Sequence, residues 1–112
     1  MKMIEAIIQP FKLEAVRNAL GQIEIHGLTI SEVKGFGRQK GQTVQYRGAV
    51  SHPQFVPKLK LQIVVSDAQA PHVEEVIQRS VRTGEVGDGK IFTYSLDQVS
   101  RIRTGEKGDA AV

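Results

Sequence analysis

The 112-residue chain contains no cysteine, which excludes a disulfide scaffold and any zinc or iron–sulfur site built on thiolates. It also has no long hydrophobic run. The stretch Met1–Phe11 carries one lysine and only Ala6, Ile7 and Ile8 in apolar succession, so neither a signal peptide nor a membrane span is read there and a cytoplasmic protein is expected. Histidines are few. His26, His52 and His72 lack metal-ligand spacing, so each reads as a surface residue. No serine stands in a nucleophile elbow, and no acid/base pair can be nominated. Nothing in the sequence argues for catalysis.

Another absence is local. Between Glu32 and Asp67 lie 34 residues without a carboxylate, and they hold Lys34, Arg38, Lys40, Arg47, Lys58 and Lys60. The formal net charge of +3 therefore divides into +6 in the centre and −3 across the rest. Such a centre suits an anionic partner.

A length of 112 residues gives one domain, and 40% hydrophobic with 24% charged residues is ordinary for a globular chain. Met3–Gln9 reads as a buried strand stopped by Pro10. From Lys12 to about Ile23, residues Leu13, Val16, Leu20 and Ile23 make one helical face. Leu28–Lys34 reads as a second strand. In Lys58–Val65, Leu59, Leu61, Ile63 and Val65 alternate with Lys58, Lys60, Gln62 and Val64. Asp67 is the candidate cap of a helix with Pro71 in its first turn and Val73, Val76, Ile77 and Val81 on one face. Lys90–Leu96 is the last strand, and a polar, mobile tail is expected from Thr104 to Val112.

This order is strand–helix–strand twice over. It predicts an α+β domain of ferredoxin-like βαββαβ type, an antiparallel sheet with both helices on one face. The mixed face carrying Val64 suggests partial cover by another subunit. Residues 36–56 lack periodicity, and a loop of that length inside one domain reads as functional.

Gly84-Glu85-Val86-Gly87-Asp88-Gly89-Lys90 fits G-x-x-x-x-G-K, most of a Walker A motif. Ile91 replaces the Ser or Thr that would meet Mg²⁺, and the order helix–loop–strand is reversed. A P-loop NTPase is thus disfavoured. Three glycines in six residues still allow an anion nest beside Lys90. Arg101 and Arg103, spaced i, i+2, would put two guanidinium forks on one side of an extended segment. A plain glycine turn with solvated arginines is the competing reading.

Several stretches together resemble the PII nitrogen-regulatory signal proteins: Glu32–Gly41, Tyr46-Arg47-Gly48, Thr83–Phe92 and Arg101–Glu106, with Ile4–Ile8 and Pro10–Leu13 at the start. The similarity runs essentially end to end. It implies a homotrimer with nucleotide sites between subunits, where ATP and ADP compete, and it makes 36–56 the loop that docks on targets. Gly87, Asp88, Gly89 and Lys90 would hold phosphates from one subunit, and Arg101 and Arg103 from its neighbour. Thr29 and Gln62 would lie near adenine and ribose, with Arg38 at the loop base. Gln39 would help coordinate Mg²⁺ when ATP binds with 2-oxoglutarate. Lys58 would pair with a carboxylate of that acid, and Lys40 would join its site.

The resemblance therefore implies a regulator of nitrogen metabolism, not an enzyme, acting on targets such as an ammonium channel or a nitrogen-assimilation enzyme. Departures lie mainly at the loop tip. Ser51 stands where many members carry a uridylylated tyrosine and Ala49 where others carry a phosphorylated serine, which leaves Ser51 a weak modification candidate. Gln62 replaces a common glutamate. Two further readings compete: a slow ATP hydrolase, and a variant with altered effector and partner. A nucleic-acid module is disfavoured because the basic residues are spread over 34 positions. Direct membrane insertion is not expected.

Overall fold

A computed structural model describes residues 1–36 and 55–112. Its elements, in chain order, are β1 (Lys2–Ile8), a 3₁₀ turn (Pro10–Lys12), α1 (Leu13–Gln22), β2 (Thr29–Phe36), β3 (Phe55–Val65), α2 (Ala70–Val81), β4 (Lys90–Ser95) and a closing 3₁₀ turn (Gly108–Ala111). All strand pairs are antiparallel, and the sheet order is β2-β3-β1-β4. This is the ferredoxin-like arrangement.

The alternation in β1 and β3 sorts the sheet into two faces. Ile4, Ala6, Ile8, Leu61, Ile63 and Val65 are buried together with Val16 and Leu20 of α1 and Val73, Val76, Ile77 and Val81 of α2. Both helices must therefore cover the same face. Burying each of these aliphatic side chains contributes roughly 1.5–3 kcal/mol, so this layer holds the domain. The opposite face is open. Its ladder rows read Ser31–Lys60–Ile7–Lys90, then Thr29–Gln62–Glu5–Phe92, then Val64–Met3–Tyr94.

Local punctuation differs from the sequence expectation in four places. The first helix starts one residue later, because Pro10 opens a 3₁₀ turn that ends at Lys12. Asp67 does not cap α2. Ser66 accepts the Gln69 amide at 3.2 Å while the Gln69 side chain accepts the Ser66 amide at 3.2 Å, a reciprocal capping box. Asp67 instead accepts from the α-amino group of Met1 at 2.6 Å.

Strands β2 and β3 also run further toward the connecting loop than expected. Gly35 pairs with Val56 and Phe36 with Phe55, and the two aromatic rings stand 5.8 Å apart, centroid to centroid. Finally, the segment after Thr104 is folded. Ser100 bridges Lys107, the Arg101 amide donates to Glu106 O at 2.8 Å, and a 3₁₀ turn follows.

Candidate phosphate loop and the open sheet face

The glycine-rich segment connects the C-terminal end of α2 to the start of β4. Its shape comes from Asp88. That carboxylate accepts the Thr83 hydroxyl and, at 2.9 Å each, the backbone amides of Thr83 and Gly84. The side chain thus braces the loop from inside, a role the motif did not reveal.

These contacts hold the Asp88 carboxyl below its ordinary value. The Thr83 hydroxyl contributes most, followed by the two amides and the charge of Lys12, while partial burial works the other way. A carboxyl depressed in the fold stabilises above the unfolded aspartate range, and that support is lost as pH falls through the folded value. The amide resonances of Thr83 and Gly84 are therefore expected to stay fixed in mildly acidic solution and to move only below the ordinary aspartate range. In Asp88→Asn that transition should vanish. An NMR titration checks this, and movement within the ordinary range would contradict the bracing role.

The loop is also pressed onto the sheet. Gly89 has φ +101°, and a Cβ placed there would stand 1.7 Å from Ile7 O. Lys58, on β3, donates to Gly87 O from the other side. Lys90 follows at the first position of β4, opposite Ile7, which in turn pairs with Lys60. Lys60 and Lys90 thus flank β1 in one row, about 10 Å apart at the backbone. The structure brings Gly87, Asp88, Gly89, Lys90 and Lys58 together at one end of the open face.

Thr29 and Gln62 sit elsewhere on that face. They are direct cross-strand partners, and Gln62 lies four residues along β3 from Lys58, about 13 Å. The Gln62 amide donates at 3.1 Å to Glu5, which also accepts the Tyr94 hydroxyl. The Tyr94 and then the Gln62 hydrogen bonds lower the Glu5 carboxyl, aided by Lys60, and the same contact raises the Tyr94 phenol. Sequence reasoning did not single out Glu5. Its signal was present, because Glu5 alternates with Ile4 and Ala6 and so falls on the open face.

Arg101 and Arg103 are placed differently from the expectation. They do not lie on an extended segment. The Gly105 amide closes onto Arg101 O at 2.8 Å, so Ile102–Thr104 form a turn. The Arg101 guanidinium stands 3.4 Å from Glu106. Among the described residues, no hydrogen bond or ion pair joins this turn to the glycine loop of the same protomer. Arg38, Gln39, Lys40 and Ser51 lie outside the described residues, as do Tyr46, Arg47 and His52.

The sequence pattern of the family described as "Nitrogen regulatory protein P-II" matches residues 1–106. The chain belongs to this family. Over the full length of both proteins, it is 52% identical to the nitrogen regulatory protein P-II of Rhodospirillum rubrum and 54% to the P-II 1 protein of Escherichia coli K12. The solved structure of Arabidopsis thaliana PII bound to citrate superposes with a TM-score of 0.81 at 40% identity. That match covers 99% of this chain and 91% of the other. This P-II chain is accordingly a signal-transduction regulator and not an enzyme. No helix among its described residues is long and apolar enough to cross a membrane.

Proposed function

We propose that this P-II protein senses ATP and ADP, together with 2-oxoglutarate, and regulates nitrogen-metabolism proteins by effector-dependent binding in the cytoplasm. The observation that carries the reading is the convergence of the Gly87–Gly89 loop with Lys58, Lys60 and Lys90 at one end of the open face. Loop amides and lysines answer phosphate oxygens. Asp88 would then act through its backbone N–H, because its carboxylate is already engaged. Thr29 and Gln62 would meet the adenine and ribose, and Arg38 the phosphates. Gln39, Lys40 and Lys58 would hold the dicarboxylate. That a relative's structure carries citrate supports a carboxylate site of this kind.

Mg²⁺ is the expected companion of ATP and the acid. Side-chain amide and ligand oxygens, with Gln39 as the protein donor, suit that hard cation. Gln39 is not among the described residues, so its fit rests on the family pattern.

The site is completed by assembly in this reading. The sheet's second face leaves Phe92 47% and Tyr94 43% exposed beside Met3 and Val64. Two further copies of the chain would cover it as a homotrimer and bring Arg101 and Arg103 to a neighbour's loop. The lack of any described bond between these arginines and the loop within one protomer supports that division.

Calorimetry tests the function. ATP with Mg²⁺ should bind, ADP should displace it, and ATP and 2-oxoglutarate should each tighten the other by the same factor, as linkage demands. Sedimentation of the same sample should give three times the chain mass. Absence of ATP binding would overturn the reading.

A further inference from the structure

Lys58 is the one charged residue buried among the described residues, at 7% exposure. It stands on the open face of β3, opposite Val33. Its aliphatic stem passes over Gly35 of β2. A Cβ at Gly35 would stand 3.1 Å from Lys58 Cγ and 3.7 Å from Cε, so the missing side chain leaves the track along which the stem runs. The ammonium then donates to Gly87 O, 29 residues further along the chain. A buried charge is costly unless hydrogen-bonded, which makes this carbonyl a strongly preferred partner.

We infer that Lys58 is a positioning residue for the phosphate loop: through Gly35's open track, its buried ammonium pins the Gly87 carbonyl and thereby sets the direction of the Asp88 amide. The reason is peptide planarity. In a trans peptide the carbonyl and the following N–H point opposite ways, so fixing Gly87 O toward Lys58 turns Asp88 N–H away from it. The Asp88 carboxylate cannot do this, because it holds the Thr83 and Gly84 amides at the other end of the loop. Lys58 and Gly89 together fasten the loop's C-terminal half, and Asp88 with Thr83 its N-terminal half. The lysine thus acts on an anion at the loop before it touches any ligand itself.

The inference rests on the loop being the phosphate subsite, and two measurements separate its fate from that reading. Lys58→Met keeps the length of the stem and removes the charge, whereas Lys58→Arg keeps a charged donor. In ligand-free protein, Lys58→Met is expected to displace or broaden the amide resonances of Gly87 and Asp88 while those of β1 and α2 stay in place. Lys58→Arg should return them toward wild type. Loop resonances that superimpose on wild type in Lys58→Met would overturn the inference.

By calorimetry, Lys58→Met with no acid present should bind ATP about tenfold more weakly, the loss of one charge-assisted contact's worth of loop order. Adenosine, which has no phosphate, should bind as before. Equal weakening of both would mean a general structural role and would also overturn it. Wild-type protein that binds no ATP would refute the nucleotide reading instead, and the ligand-free spectra would still decide the role of Lys58.

Discussion

Gly89→Ala is expected to destabilise this P-II protein by about 2–6 kcal/mol and to abolish phosphate-dependent binding. Two costs coincide. The backbone at φ +101° is one that L side chains rarely adopt, and such strain costs of order 1–3 kcal/mol. The new methyl group would also stand 1.7 Å from Ile7 O, a distance no relaxation of side chains can cure. The loop and β1 must part, and overpacking of that type adds roughly another 1–3 kcal/mol. Against a typical total stability of about 5–15 kcal/mol the loss is large. Gly84→Ala is the comparison. Its φ is +87°, yet nothing lies within 4 Å of the added methyl, so only the backbone strain applies. Urea unfolding of the two variants measures the difference, and equal midpoints would refute the close approach.

Lys90→Ala is expected to lower ATP affinity at least tenfold while leaving stability within about 0.5 kcal/mol of wild type, as exposed substitutions do. Lys90 begins β4 and its ladder position opposite Ile7 is held by the backbone, not by the side chain. The ammonium is exposed beside the glycine loop. A charge-assisted hydrogen bond to phosphate contributes about 1.5–3 kcal/mol when well formed, which converts to roughly 10–150-fold in affinity. Calorimetry with ATP and ADP reads the loss, and thermal unfolding controls for the fold. Unchanged affinity would remove Lys90 from the phosphate set.

These two residues show where a sequence motif is informative. G-x-x-x-x-G-K singled out the segment that the fold presses onto β1, although the Walker comparison failed on both hydroxyl and context. The glycines mark places where backbone or ligand comes close, and that requirement is written in residue type alone. Asp88 is different. A carboxylate in a glycine-rich loop looks like a ligand contact or a repulsive error until Thr83 and Gly84 are seen donating to it. Asp67 is likewise a good cap by residue type, yet the Ser66–Gln69 pair holds that turn and Asp67 accepts from Met1 instead, which only the folded backbone decides.

The sequence by itself determined the element order, the two faces of the sheet and the family. Alternation in Leu59–Val65 and helical spacing in Val73–Val81 are local patterns whose partition between water and core follows from side-chain chemistry. The extent of the acid-free centre was equally legible. Tertiary structure alone decided the contacts between distant segments. Lys58 reaches Gly87 over 29 residues, Tyr94 reaches Glu5 over 89, and Arg101 turns back to Glu106 instead of lying extended. No periodicity encodes such pairs, because they depend on strand register, on turn geometry and, for Lys58, on the missing side chain of Gly35, whose effect appears only when another strand lies beside it.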